Sequence, residues 1–142
     1  MAETVIFKNE SAILKYHSEG IVHHEFLTRM VGKDFRDILM RGYEQMKKTG
    51  ATRWLSDDRK HTVLDEADMA WGQTEWFPKV AALGWRYWAI VNPERLVGQM
   101  QMKNSAKTFQ MMGNVEVRFF AQPGEALAWL KSVGNEPLKK TA

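Results

Sequence analysis

The sequence predicts an α/β domain built on a mixed sheet, and three observations carry that prediction. Two β-rich runs around a short polar break open the chain. The spacing of apolar residues then changes from two to three and four. From there strands alternate with helices to the end, which implies right-handed crossovers and parallel strands added to an antiparallel start.

Thr4-Val5-Ile6-Phe7-Lys8 and Ala12-Ile13-Leu14-Lys15-Tyr16-His17 flank Asn9-Glu10 and predict a hairpin, and Ile21 to Leu27 follows Ser18-Glu19-Gly20 as a third strand. Between Lys33 and Lys48, Phe35, Ile38, Leu39, Tyr43 and Met46 fall on one helical face, with Lys47, Lys48 and Gly50 supplying a cationic last turn and a stop. Thr52 to Ser56 reads as a strand. Asp65 can cap a helix running to Trp76 or Phe77, and Pro78, which lacks an amide proton, predicts a kink or a restart before the segment ends at Gly84. Arg86 to Val91 is apolar enough for a strand covered on both faces. Asn92-Pro93-Glu94 offers cap, first-turn proline and first-turn acid for a helix carrying Leu96, Val97, Met100 and Phe109. Val115 to Phe120 alternates as a last strand. Pro123 opens a final helix that buries Ala126, Leu127, Trp129, Leu130 and Val133 before Gly134.

At 142 residues the chain has the size of one domain, expected over 1–136 with a basic tail at 137–142. The absence of cysteine excludes thiolate catalysis, zinc-thiolate sites and iron–sulfur clusters, and fits a cytoplasmic protein. No run approaches the roughly 20 apolar residues of a membrane span, and the start lacks the order of a signal peptide. A net charge of +3, with basic residues scattered among acids, gives no dense stripe for nucleic acid.

Trp54-Leu55-Ser56-Asp57-Asp58-Arg59, Trp76-Phe77-Pro78, Gly84-Trp85-Arg86-Tyr87-Trp88-Ala89, and Phe119-Phe120 with Ala126-Leu127-Ala128-Trp129-Leu130 resemble bacterial STAS-like proteins of the SpoIIAA-like superfamily. The resemblance runs from the second strand to Trp129 and implies a SpoIIAA-like fold with a non-enzymatic, regulatory role. Members of the superfamily dock protein partners, switched by phosphorylation at an Asp-Ser-Ser-Gly-like motif, while CRAL-TRIO relatives carry a lipid or other apolar molecule. Here the corresponding strand end reads Ser56-Asp57-Asp58-Arg59-Lys60-His61-Thr62, without the glycine and with acids beside the serine.

That loop is the candidate site, because ligands collect at the carboxyl ends of parallel strands. Ser56, Asp57, Asp58, Arg59 and Thr62 are the candidate contact residues, with Asn92 at the next strand end. Arg59 can bind an anion or a carboxylate, or the loop charges can pair among themselves. A hydrolase would need Ser56, His61 and Asp57 to form a relay, and no Gly-x-Ser-x-Gly elbow is present. His23 and His24 point to opposite faces of a strand and cannot share an ion, so no metal is expected; no cofactor is expected either. Trp71 and Trp76 lie about 140° apart around a helix, so one of the two leaves the core face and becomes a contact candidate. The leading expectation is docking of a protein partner, with homodimerisation possible. The alternative is a carrier whose cavity of several hundred Å³ would be lined by Met100, Met112, Phe109 and Trp76.

Overall fold

The computed structural model describes residues 3–134. Six strands form one sheet in chain order: β1 (Glu3–Lys8), β2 (Ala12–His17), β3 (Ile21–Phe26), β4 (Arg53–Asp57), β5 (Tyr87–Val91) and β6 (Glu116–Phe120). The first three pair antiparallel and the last four parallel, so the mixed α/β sheet expected from the sequence is present. β1 is an almost wholly exposed edge strand whose register slips between Val5 and Phe7, the kind of irregularity that blunts a free edge. The basic tail lies outside the described residues.

Because β3 to β6 advance in one direction, right-handed crossovers must place every connecting helix on the same face. These helices are α1 (Lys33–Thr49), α2 (Glu66–Trp71) continuing into α3 (Phe77–Ala81), and α4 (Leu96–Met112). The opposite face is left to α5 (Pro123–Gly134), which follows the last strand and lies over β4, β5 and β6. Two cores result. The helical-face core gathers Trp54, Trp76, Phe77, Trp85, Trp88 and Phe109, with Phe77 stacked on Phe109 at 4.6 Å and Trp85 against Trp88 at 4.8 Å. The α5-face core is smaller: Ile21, Leu55, Ala89, Val91, Ala126 and Leu130.

The helix restarts at Phe77, just ahead of Pro78, as expected, and the start of α4 differs from the sequence expectation. Between α2 and α3 the chain makes one π-helical turn, Gly72–Trp76, in which the Phe77 amide donates to the Gly72 carbonyl. The widened turn falls just ahead of Pro78, where an ordinary helix would need an amide that proline lacks. And α4 begins at Leu96 with Arg95 as its capping position, not at Asn92. The Asn92 amide donates to the Phe120 carbonyl, and the Glu94 amide donates to the Arg59 carbonyl at 3.0 Å. Those backbone bonds to β6 and the β4 loop hold residues 92–94 out of the helix.

Close approach explains one glycine. A Cβ on Gly42 of α1 would lie 2.3 Å from Trp54 Cη2, so only glycine lets α1 sit on the fully buried indole.

Candidate functional site

Strand alternation decides which candidate residues can meet. In β4, Trp54 and Ser56 face the connecting helices, while Leu55 and Asp57 face α5. Parallel pairing sets Ser56 beside His24 of β3. The Trp54 indole donates to His24 Nδ1 at 3.0 Å, so that nitrogen carries no proton, and His24 Nε2 donates to Asp58 Oδ1 at 2.9 Å. The Trp88 indole donates to Ser56 Oγ at 2.8 Å. Ser56, Asp58 and His24 are all buried.

On the other face, Asp57 grips Arg59 with two bonds of 2.9 Å, Nε to Oδ1 and Nη2 to Oδ2. That hydrogen bonding raises the guanidinium pKa above its ordinary value. The Asp58 amide donates to the Val91 carbonyl and the His61 amide to the Asp58 carbonyl, which ties the loop to the end of β5. His61 is buried against Phe26 and Phe35, and its Nε2 donates to the Met30 carbonyl at 2.9 Å. Burial pushes the His61 pKa down. The Thr62 carbonyl packs on α4 so tightly that a Cβ on Gly98 would come within 2.2 Å of it. Gln101 then clamps Leu64, accepting from its amide and donating to its carbonyl.

The loop is therefore brought together as a set of internal pairs. It does not assemble the hydrolytic relay: Ser56 and Asp57 point to opposite faces, and His61 spends its ring proton on a backbone carbonyl. Trp76 is buried, with its indole donating to the Leu39 carbonyl at 3.1 Å. Trp71 is the less buried of the two, packed half-exposed against the margin of the same core with the Arg36 guanidinium 5.3 Å over its ring. Asn92 is half-buried, and its Oδ1 has no partner among the described residues.

Beneath the loop, between the sheet and α1, α2 and α4, lies a cavity of about 60 Å³. Phe109 and Trp76 line it, as do His24, Ser56, Asp58 and Ser105. Met100 and Met112 do not. Met100 is 57% exposed, and Met112 borders an open surface groove with Pro78 and Arg86. This cavity is far smaller than the several hundred Å³ that a lipid carrier needs.

A family model described as SpoIIAA-like matches residues 21–131. The chain belongs to the SpoIIAA-like family. Comparison with curated proteins and with solved structures finds no significant match. STAS domains of this kind are in general regulatory or binding modules rather than enzymes, and typically dock with proteins. Among the described residues of this SpoIIAA-like chain no helix is long and apolar enough to cross a membrane, and no group of three or more metal-ligating side chains comes together.

Two members of the site, His24 and Ser105, were not among the expected contact residues. His24 reaches Asp58 across 34 positions, and nothing local to either announces the pair. Ser105 left a readable signal, since it shares a helical face with Met102, Ala106 and Phe109, where a hydroxyl is out of place.

Proposed function

We propose that this SpoIIAA-like domain is a non-enzymatic binding or regulatory module that docks a protein partner on the edge above the carboxyl ends of β3, β4 and β5. The observation that carries this reading is the start of α4, where Leu96, Val97 and Met100 are 68%, 57% and 57% exposed. Adjoining apolar side chains held out on a helix form the kind of surface patch that contact partners cover. The backbone beneath them is anchored by the Gly98–Thr62 packing and the Gln101–Leu64 clamp. A rigid patch loses little entropy on association. The exposed Lys60 and Arg95 and the half-buried Arg59 and Thr62 belong to the same edge and supply its polar rim.

The test is affinity capture from cell extract with mass-spectrometric identification, comparing wild type with a Leu96→Glu/Met100→Glu double variant and with Val5→Glu on the distant β1 edge. A partner retained by wild type and Val5→Glu but released by the double variant supports the reading. Identical capture by all three proteins would sink it.

A further inference from the structure

The cavity holds a charge that the protein leaves unanswered. Asp58 is a carboxylate whose side chain is about 10% exposed, and among the described residues its one ion-pairing neighbour is His24. His24 accepts the Trp54 indole proton at Nδ1, so it meets Asp58 through a single Nε2–H as a neutral imidazole. The nearest arginine in sequence, Arg59, is committed to Asp57 on the opposite face. Asp68, the second acid lining the cavity, is already matched: Oδ1 accepts from Arg36 and Oδ2 from the Gly32 amide. Burying a carboxylate without a cation is costly, and such a group is ordinarily paired.

Two hydroxyls at the cavity have hydrogen-bonding capacity to spare. Ser105 is 5% exposed, lines the cavity from α4 and makes no hydrogen bond within the described residues. Ser56 is 1% exposed and accepts from Trp88 with one lone pair of its oxygen, which leaves the second lone pair able to accept. The remaining wall is aromatic and aliphatic, with Phe26, Phe35, Trp76, Trp88 and Phe109 among its members. A single buried carboxylate, two hydroxyls and a ring-lined wall is the chemistry that receives an organic cation.

We propose that this cavity is a binding site for a small primary ammonium compound, its N–H groups directed to Asp58, Ser56 and Ser105 and its short alkyl stem against the aromatic wall. The cavity of about 60 Å³ has room for about four water molecules, hence for a ligand of about four non-hydrogen atoms. This site is independent of the docking edge, since Leu96, Val97 and Met100 do not line it.

The test uses n-propylammonium as the probe and 1-propanol, its uncharged counterpart, as the control. Binding is followed through the Trp88 indole resonance of isotope-labelled full-length protein, assigned with Trp88→Phe. The expected result is a saturable shift with an affinity on the order of millimolar for so small a ligand. Asp58→Asn and 1-propanol should each weaken binding by about tenfold or more, as expected when an ionic hydrogen bond is lost. Asp58→Asn also disturbs the His24 contact. Ser105→Val, which fills the cavity from α4 without touching the loop, should therefore give a loss of about tenfold by itself. No saturable shift with n-propylammonium, equal affinity for 1-propanol, or unchanged binding in the Ser105→Val variant would overturn the proposal. Partner capture by the docking edge is a separate readout, so either reading can fail while the other stands.

Discussion

His23 and His24 are adjacent in β3, yet they meet two different kinds of protein. His24 faces the helices and has both ring nitrogens engaged, one by an indole and one by a carboxylate. His23 lies on the α5 side of the sheet, shares a 3.0 Å bond between its Nδ1 and His17 Nε2, and has an Nε2 without a partner among the described residues. Burial, with Lys15 next in weight, lowers the His23 pKa to about 3. Burial is also the chief cause that lowers that of His17. The contrast follows from topology. Three crossovers cover one face with helices, and on that face β4 and β5 present the hydrogen-bonding indoles of Trp54 and Trp88, while a single helix and the sheet's own charges cover the other. On the helical face protein groups engage both nitrogens of His24, although His61 on that side keeps a buried Nδ1 with no partner among the described residues. On the α5 face it is His23 that is left partly unanswered.

Removing the element that most distinguishes the two faces should have the largest effect. Trp54→Ala, at a fully buried indole that also holds His24, should cost about 3–5 kcal/mol in denaturant unfolding, while Trp129→Ala on the half-buried α5 side should cost less than half as much. Equal losses would mean that the two faces contribute alike. Acid should reveal the α5 face next. Because the folded His23 pKa lies below its unfolded value near 6.5, the unfolded chain binds more protons between pH 6.5 and 3. Stability is thus complete above about pH 6.5 and falls as pH drops toward 3. Between pH 6.5 and 4.5 the His23 share of that loss is about 2–3 kcal/mol, and His23→Gln should flatten that part of the stability–pH curve. A variant curve parallel to wild type would remove His23 from the explanation. The smallest effect belongs to the exposed Glu116–Arg118 pair on β6, where Arg118→Gln should change stability by no more than about 0.5 kcal/mol.

Much of this could be read from residues alone. The period change after Leu27, the cationic last turn of α1 before Gly50 and the apolar run of β5 set element order and the mixed sheet, because local spacing and capping are local physics. The opposition of His23 and His24 was legible for the same reason. The start of α4 was not. Asn92-Pro93-Glu94 has the chemistry of a helix start, but backbone bonds to Phe120 and Arg59, both distant in sequence, outweigh that preference. The loop shows the same division. Ser56 to Thr62 could be recognised as a charged turn at a strand end, yet only the alternation of β4 sends Asp57 to Arg59 on one face and Asp58 to His24 on the other.

By itself, then, the sequence determined the class of the domain and the position of its most charged loop, since both depend on periodicities and caps spanning a few residues. Tertiary structure decided which groups that loop meets. A buried carboxylate becomes a candidate cation site only when strands 34 positions apart set a neutral imidazole beside it and a helix from further along the chain brings Ser105 to the same cavity. Whether a charge is answered depends on everything that surrounds it, and no local pattern in the chain encodes that.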